Sequence, residues 1–369
     1  AEDENYTNGV RLTWMSGARD PEEFGWLQRQ LQDLTGDAES RKLFRRLSGF
    51  EDPDNLEYDY GFSLTQLMFT PEDLDAPSAP PGERPYAAWL GVDFSLHAKD
   101  ANAVNSVILA IGTTGRYALG EEAQDLIHGI RGLKKFQGWD SQIPGEMTLN
   151  LYSTQRRRLA ILAPTAEGFS IDGFTEWRVA LGNFLTGASV GGLIRFGWNL
   201  PANFADARLS VTGYSHQPFK LDGERDSGWS FYGVTGALVT GVVHNITIDG
   251  PVFRDFDTGV TSKAVVGELY AGFGVSYNRW NFSYVHTFRS KEFKGQDEAQ
   301  SFGSLTVGYR IEPTAAQANL HFAHGCSPRA QGATFCSERR FGVERGLLLK
   351  RPLCHPLPRC PKSRACSVP

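Results

Sequence analysis

Gln124, His128, Trp139, Gln142 and Glu146 are the residues of this chain whose types and spacing point most directly to chemistry. On a helix Gln124 and His128 stand at i and i+4 and share one face, so an amide and an imidazole converge on one spot. Such a pair suits a histidine that takes a proton from water. Gly138-Trp139 marks a turn with an aromatic anchor. Glu146 opens the following strand, where its carboxylate either orients the imidazole or contributes to a metal site. A lone histidine in a loop is most often structural, and it is this company that gives His128 a functional reading.

Two further clusters carry chemistry of their own. Tyr6-Thr7-Asn8-Gly9 sets oxygen ligands at the start of a strand, which suits calcium, a hard cation that takes carboxylate, amide and backbone oxygens; a plain turn into a strand reads the same residues equally well. Glu83-Arg84-Pro85-Tyr86 places a guanidinium at a strand mouth, where it either grips a phosphate or serves ordinary strand entry. The chain has no Gly-x-Ser-x-Gly elbow, phosphate-binding loop, dinucleotide fingerprint or paired-cysteine zinc site. Water activated by histidine is therefore the expected nucleophile.

The elements that must position these groups are strands. Val265, Gly267, Leu269, Ala271, Phe273, Val275 and Tyr277 alternate with Glu268, Gly272, Gly274 and Ser276, and the same period of two runs through Ala88 to His97 and Leu305 to Ile311. About eleven such segments are predicted: 5–16, 57–70, 86–98, 104–113, 145–164, 173–186, 188–198, 228–245, 264–278, 280–290 and 301–311. Strands of this length exceed the ~5–6 residues usual in globular proteins and fit the antiparallel strands of a transmembrane β-barrel. Such barrels close with an even number of strands, so either one segment is miscounted or a twelfth strand is expected, upstream of Ala1 since the first segment starts almost at the terminus. Long polar loops are predicted at 17–56, 71–83, 114–142 and 246–263, with an amphipathic helix within 21–48 (Phe24, Leu27, Leu31, Leu34).

Composition agrees. No apolar run approaches the ~20 residues of a spanning helix, and a mean hydropathy of -0.32 is neutral for a barrel whose strands average lipid-facing with lumen-facing residues. All five cysteines lie between Cys326 and Cys366, and a cysteine-free body suits a cell-envelope protein that passes an oxidising compartment. Residues 312–369 hold nine Lys/Arg against three Asp/Glu, or +6; with a chain total of -5, residues 1–311 carry -11. Two domains are expected: a barrel over 1–311 and a disordered basic Cys/Pro-rich tail over 312–369. No nucleic-acid partner is expected, and the chain is read as a monomer.

In order, Tyr6-Thr7-Asn8-Gly9-Val10-Arg11-Leu12, Thr70-Pro71, Arg84-Pro85-Tyr86-Ala87, Gln124 through His128, Gly138-Trp139 with Gln142 and Glu146, Leu181-Gly182-Asn183, Arg195-Phe196-Gly197, Asp249-Gly250 and Glu292-Phe293 with Gln296 resemble the lipid A 3'-O-deacylase family of Gram-negative outer membranes. The resemblance spans residues 3 to 311. It implies a twelve-stranded outer-membrane barrel and calcium-dependent hydrolysis of the ester carrying the 3'-linked acyloxyacyl chain of lipid A in lipopolysaccharide. It implies His128 as general base with support from Gln124, and calcium as the group that polarises the ester carbonyl. Glu146 completes the expected catalytic set, Arg84, Tyr86 and Trp139 the expected substrate contacts, and Thr7 and Asn8 the expected metal side. The family pattern also has a Glu-Asn-Asp-type segment on its first strand, which would precede this chain. It has asparagine where Gly145 stands and glycine where Ala88 stands. The rival classes are a non-catalytic pore or structural barrel, an inactive fragment of the enzyme, and a soluble binding barrel.

Overall fold

The computed structural model describes residues 5–16, 37–51, 56–73, 76–132, 135–159, 168–201 and 228–310, the side chains of 5–8 and 131 excepted. All lie within the compact unit Ala1–Ile311. The 312–369 segment, and the Phe24 to Leu34 helix predicted near the N-terminus, fall outside the described residues.

Eleven strands form one antiparallel sheet in sequence order among the described residues. They are β1 (Asn5–Met15), β2 (Glu57–Thr70), β3 (Ala87–Lys99), β4 (Ala103–Thr114), β5 (Met147–Arg158), β6 (Phe169–Gly182), β7 (Leu185–Trp198), β8 (Trp229–Asn245), β9 (Val265–Tyr277), β10 (Trp280–Arg289) and β11 (Gln300–Tyr309). The sheet curls until β1 and β11 are neighbours, with no ladder between them among the described residues. Between the strands lie helix α1 (Ala38–Ser48), helix α2 (Gly120–Arg131) and a single turn α3 (Ile246–Asp249).

Burial runs opposite to that of a globular protein. Leu12, Leu64, Val92, Ile111 and Leu149 form one cross-strand row and are all exposed. The inward rows hold charge instead. Arg11 pairs with Asp93 at 3.0 Å, Lys99 with Asp59 at 2.5 Å, Arg156 with Glu176 at 2.7 Å, and Arg195 Nε with Asp172 at 2.8 Å, all buried. An apolar outer wall around a polar lumen is the solution a β-sheet adopts when lipid is its outer solvent. Near one end of the sheet, Trp229 stacks on Tyr277 and Trp280 meets Tyr309, ring centroids 4.4 and 4.7 Å apart, as in the aromatic girdle of a bilayer interface.

At the other end, which we call the mouth, lie the connections 71–86, 115–146, 183–184, 246–264 and 290–299. Three of the four predicted long loops are there; the β1–β2 connection emerges at the opposite end, as strict up-and-down topology requires. Just inside the mouth, Leu67, Phe69, Trp89, Ile108, Tyr152 and Phe184 pack into an apolar layer across the lumen.

Candidate active site

The α2 helix lies on the outside of the wall. Even-numbered residues of β2 and β3 face outward, as exposed Phe62, Leu64, Val92 and Phe94 show, and so Met68 and Ala88 belong to the outward face as well. Yet both are fully buried, because the 115–142 segment covers them: Met68, Tyr86, Ala88, Ala118, Phe136 and Trp139 form one apolar cluster. Gln66, one outward row further down, donates its Nε2 to the carbonyls of Ala118 (2.7 Å) and Leu119 (3.0 Å), fixing the entry to α2. Gly120 permits the approach. A Cβ there would stand 2.6 Å from both the Ala88 methyl and the Trp139 ring. Gly138 does the same service for Tyr86, whose ring would meet its Cβ at 2.2 Å.

Gln124 and His128 share a helical face, as their spacing predicts, and both are buried. Their side chains make no hydrogen bond to each other. Gln124 Oε1 accepts from Trp139 Nε1 at 2.6 Å, and its Nε2 is buried without a partner among the described residues. The indole tilts against Tyr86 at 5.3 Å, and the His128 ring meets Phe136 edge-on at 4.8 Å. Gln142 donates to the Trp139 carbonyl at 3.0 Å and keeps a buried, unpartnered Oε1. The site therefore offers an imidazole, two amide N–H donors on Gln124 Nε2 and one amide oxygen in an aromatic pocket, on the lipid side of the wall. An imidazole can take a proton from water, and an oriented N–H can receive the oxygen of a polarised carbonyl.

The remaining sequence-singled residues lie elsewhere. Glu146 makes no contact with His128. Its carboxylate accepts from Asn183 Nδ2 (2.7 Å) and the backbone N–H groups of Val252 (3.2 Å) and Phe253 (2.8 Å), tying the β6–β7 turn and the β8–β9 loop to the start of β5. Arg84 is fully buried over the Phe69 ring, with its guanidinium donating to Thr247 Oγ1 at 2.9 Å and to Glu292 at 3.4 Å. Burial lowers its pKa to about 10, against the pull of Glu292. Glu292 is the centre of the ionic knot, holding Arg289 and Gln300 as well as Arg84. Sequence spacing could not reveal the partners of either residue: Glu146 draws on Asn183, Val252 and Phe253, and Arg84 on Thr247 and Glu292, all from other connections.

Thr7 and Asn8 are placed by backbone alone. β1 has a bulge between Tyr6 and Asn8, and Asn8 stands in register with Met68, the residue that α2 covers. Bulges of this kind often sit beside functional sites, where they re-aim a strand. Among the described residues no group of three His, Cys, Asp or Glu could hold a metal, and Gln142 Oε1 is one orphan oxygen where calcium takes six to eight. The described side chains thus do not by themselves make a calcium site.

A search of curated proteins returns no match. Among solved structures, LpxR from Salmonella typhimurium matches with a TM-score of 0.60 at 17% identity, covering 82% of this chain and all of that one. That likeness shows the barrel fold. The family model "Outer membrane protein LpxR" matches residues 1–311, the whole of the barrel unit. The chain belongs to the LpxR family of outer-membrane proteins.

Proposed function

We propose that this barrel is a lipid A deacylase that hydrolyses the 3'-linked acyloxyacyl ester of lipid A in lipopolysaccharide, with His128 as the general base. One observation carries the reading: the buried Gln124 and His128 lie between α2 and the outward, lipid-facing side of the wall. A site there is entered from the bilayer, which suits an ester within a lipid and would be a poor position for a water-borne substrate. The family's outer-membrane location supports it.

In this reading the imidazole of His128 removes a proton from water, and the resulting hydroxide attacks the ester carbonyl. Gln124 Nε2 donates to the developing oxyanion, its amide held in one orientation by the Trp139 indole on Oε1. The protonated imidazole then returns its proton to the departing alkoxide of the sugar 3'-acyl ester, giving a free fatty acid and an alcohol. Trp139 and Tyr86 shape the pocket. Thr7 and Asn8, in register with the covered Met68, are the candidates for the calcium that the family resemblance implies.

A pore is the rival reading; four buried ion pairs and an apolar layer at the mouth favour the enzyme over it. Mass spectrometry of lipid A from a Gram-negative host, with and without expression of the chain, tests the proposal. Loss of the mass of the 3'-acyloxyacyl group is expected. An unchanged lipid A in cells with folded barrel in the outer membrane would reject it.

A further inference from the structure

Directly beneath the α2 site, the lipid-facing wall is hollowed into an apolar cleft of about 680 Å³. Its walls come from two adjacent outward rows, Leu12, Leu64, Val92 and Ile111 in the upper one and Phe62 and Phe94 in the lower, with Thr13, Ser63 and Asp93 of the intervening inward row also in the lining. The row above these two is Gln66 and Leu90, the first that α2 and its entry turn cover. Two residues along a strand advance roughly 7 Å. The cleft therefore begins about one row, or roughly 7 Å, below the covered row, with no polar outward residue between them on β2 or β3. Its volume falls within the range of small-molecule binding clefts.

We infer that this cleft is the seat of one acyl chain of the lipid whose ester lies at His128, and that it fixes the depth of that ester relative to the imidazole. The inference rests on the proposed deacylase reading. The occupant follows from position and chemistry. The cleft is continuous with the bilayer-facing wall, so a hydrocarbon chain reaches it without crossing water, and every outward side chain that lines it is aliphatic or aromatic. A chain leaving the α2 pocket along the wall has Leu64 and Val92 as its first uncovered neighbours. Burying the methylenes of that chain contributes almost nothing when the alternative is the bilayer, whose tails are as apolar as the wall. The cleft acts through position, and chain seating sets which ester arrives at His128.

The test uses lipid A carrying a diazirine on its 3'-linked acyl chain, mixed in detergent with the full chain bearing His128→Ala so that the ester survives irradiation. Adducts are mapped by mass spectrometry of peptides. Several-fold enrichment on 60–66, 90–96 and 107–113 over the outward faces of 229–239 and 269–277 is expected, as is its loss in the added variant Val92→Trp, which fills the cleft from a lipid-facing position. Adducts spread evenly around the wall, or enrichment unchanged by Val92→Trp, would overturn the inference, because the lipid would then be ordinary solvent for the barrel. Hydrolysis by the unmutated chain is read in parallel. Even adducts with intact hydrolysis reject the cleft alone, whereas enriched adducts without hydrolysis support the cleft and reject the deacylase.

Discussion

Trp139 Nε1 donates to Gln124 Oε1 across 2.6 Å of buried space, and this bond decides which end of the Gln124 amide faces the open side of the site. With Oε1 occupied, Nε2 is the end left unpartnered. Replacing Trp139 with Phe retains the ring against Tyr86 and strands Oε1, a buried acceptor whose loss costs about 1–3 kcal/mol. We expect a fall of roughly 10- to 100-fold in deacylation, the factor that 1.4 kcal/mol per decade gives for such a cost, with heat-modifiable barrel migration unchanged. Steady-state kinetics with gel mobility checks it. Unaltered kinetics would mean that the amide orientation is irrelevant to the reaction.

Gly120 is the second prediction. The Ala88 methyl and the Trp139 ring leave its α-carbon no room for a side chain, so Gly120→Val pushes α2 off the wall while the strands stay paired. Activity is expected to fall to background, and protection of α2 amides in hydrogen exchange to fall with it, while β2 and β3 amides remain protected. Full protection of α2 in the variant would contradict the packing described.

Glu146 is expected to act on loops and leave the chemistry alone. Its three donors come from the β6–β7 turn and the β8–β9 loop, so Glu146→Ala should release Val252 and Phe253 and speed chymotryptic cleavage at Phe253. If the variant instead abolished deacylation with proteolysis unchanged, the carboxylate would belong to the catalytic machinery.

At the mouth, the Arg84–Glu292 pair predicts an asymmetry. Arg84→Met leaves Glu292 with Arg289 and Gln300, but Glu292→Gln leaves the buried Arg84 cation with only Thr247 and the Phe69 ring. Removing one partner of a buried pair typically costs about 3–5 kcal/mol, and we expect Glu292→Gln to approach that while Arg84→Met stays below it. Because burial lowers the folded pKa of Arg84 to about 10, the cation is fully present at neutral pH. The folded state binds fewer protons than the unfolded one only above about pH 10, so Arg84 contributes rising stability with pH there and a flat term below it. Urea unfolding of the refolded barrels at pH 8 and pH 11 reads both effects.

The strands were legible in the sequence because lipid outside and polar groups inside impose a period of two on every one of them. About eleven segments are expected and eleven strands are found among the described residues, with most ends within a few residues. The β6–β7 turn was misplaced to residue 187, since Thr186-Gly187-Ala188 reads as a turn. The actual reversal is at Asn183-Phe184, where Asn150 Oδ1 accepts from the Phe184 and Leu185 N–H groups and Phe184 packs into the lumen layer. The pairing of Gln124 with His128 on one face was legible from their spacing. That the face turns toward the outer wall was not, since it depends on Gln66, Ala88 and Gly120 meeting across the β2–β3 edge. The partners of Glu146 and Arg84 were equally hidden, because a carboxylate or guanidinium in a sequence does not state which loop will reach it.

His128 carries the central claim. The most direct test is mass spectrometry of lipid A incubated with the refolded chain and with its His128→Ala variant, each confirmed as a folded barrel by heat-modifiable migration. The account predicts release of the 3'-linked acyloxyacyl group by the unmutated chain and a fall of about 10²–10⁴-fold in the variant, the contribution usual for a general base. Equal release by both proteins would contradict it.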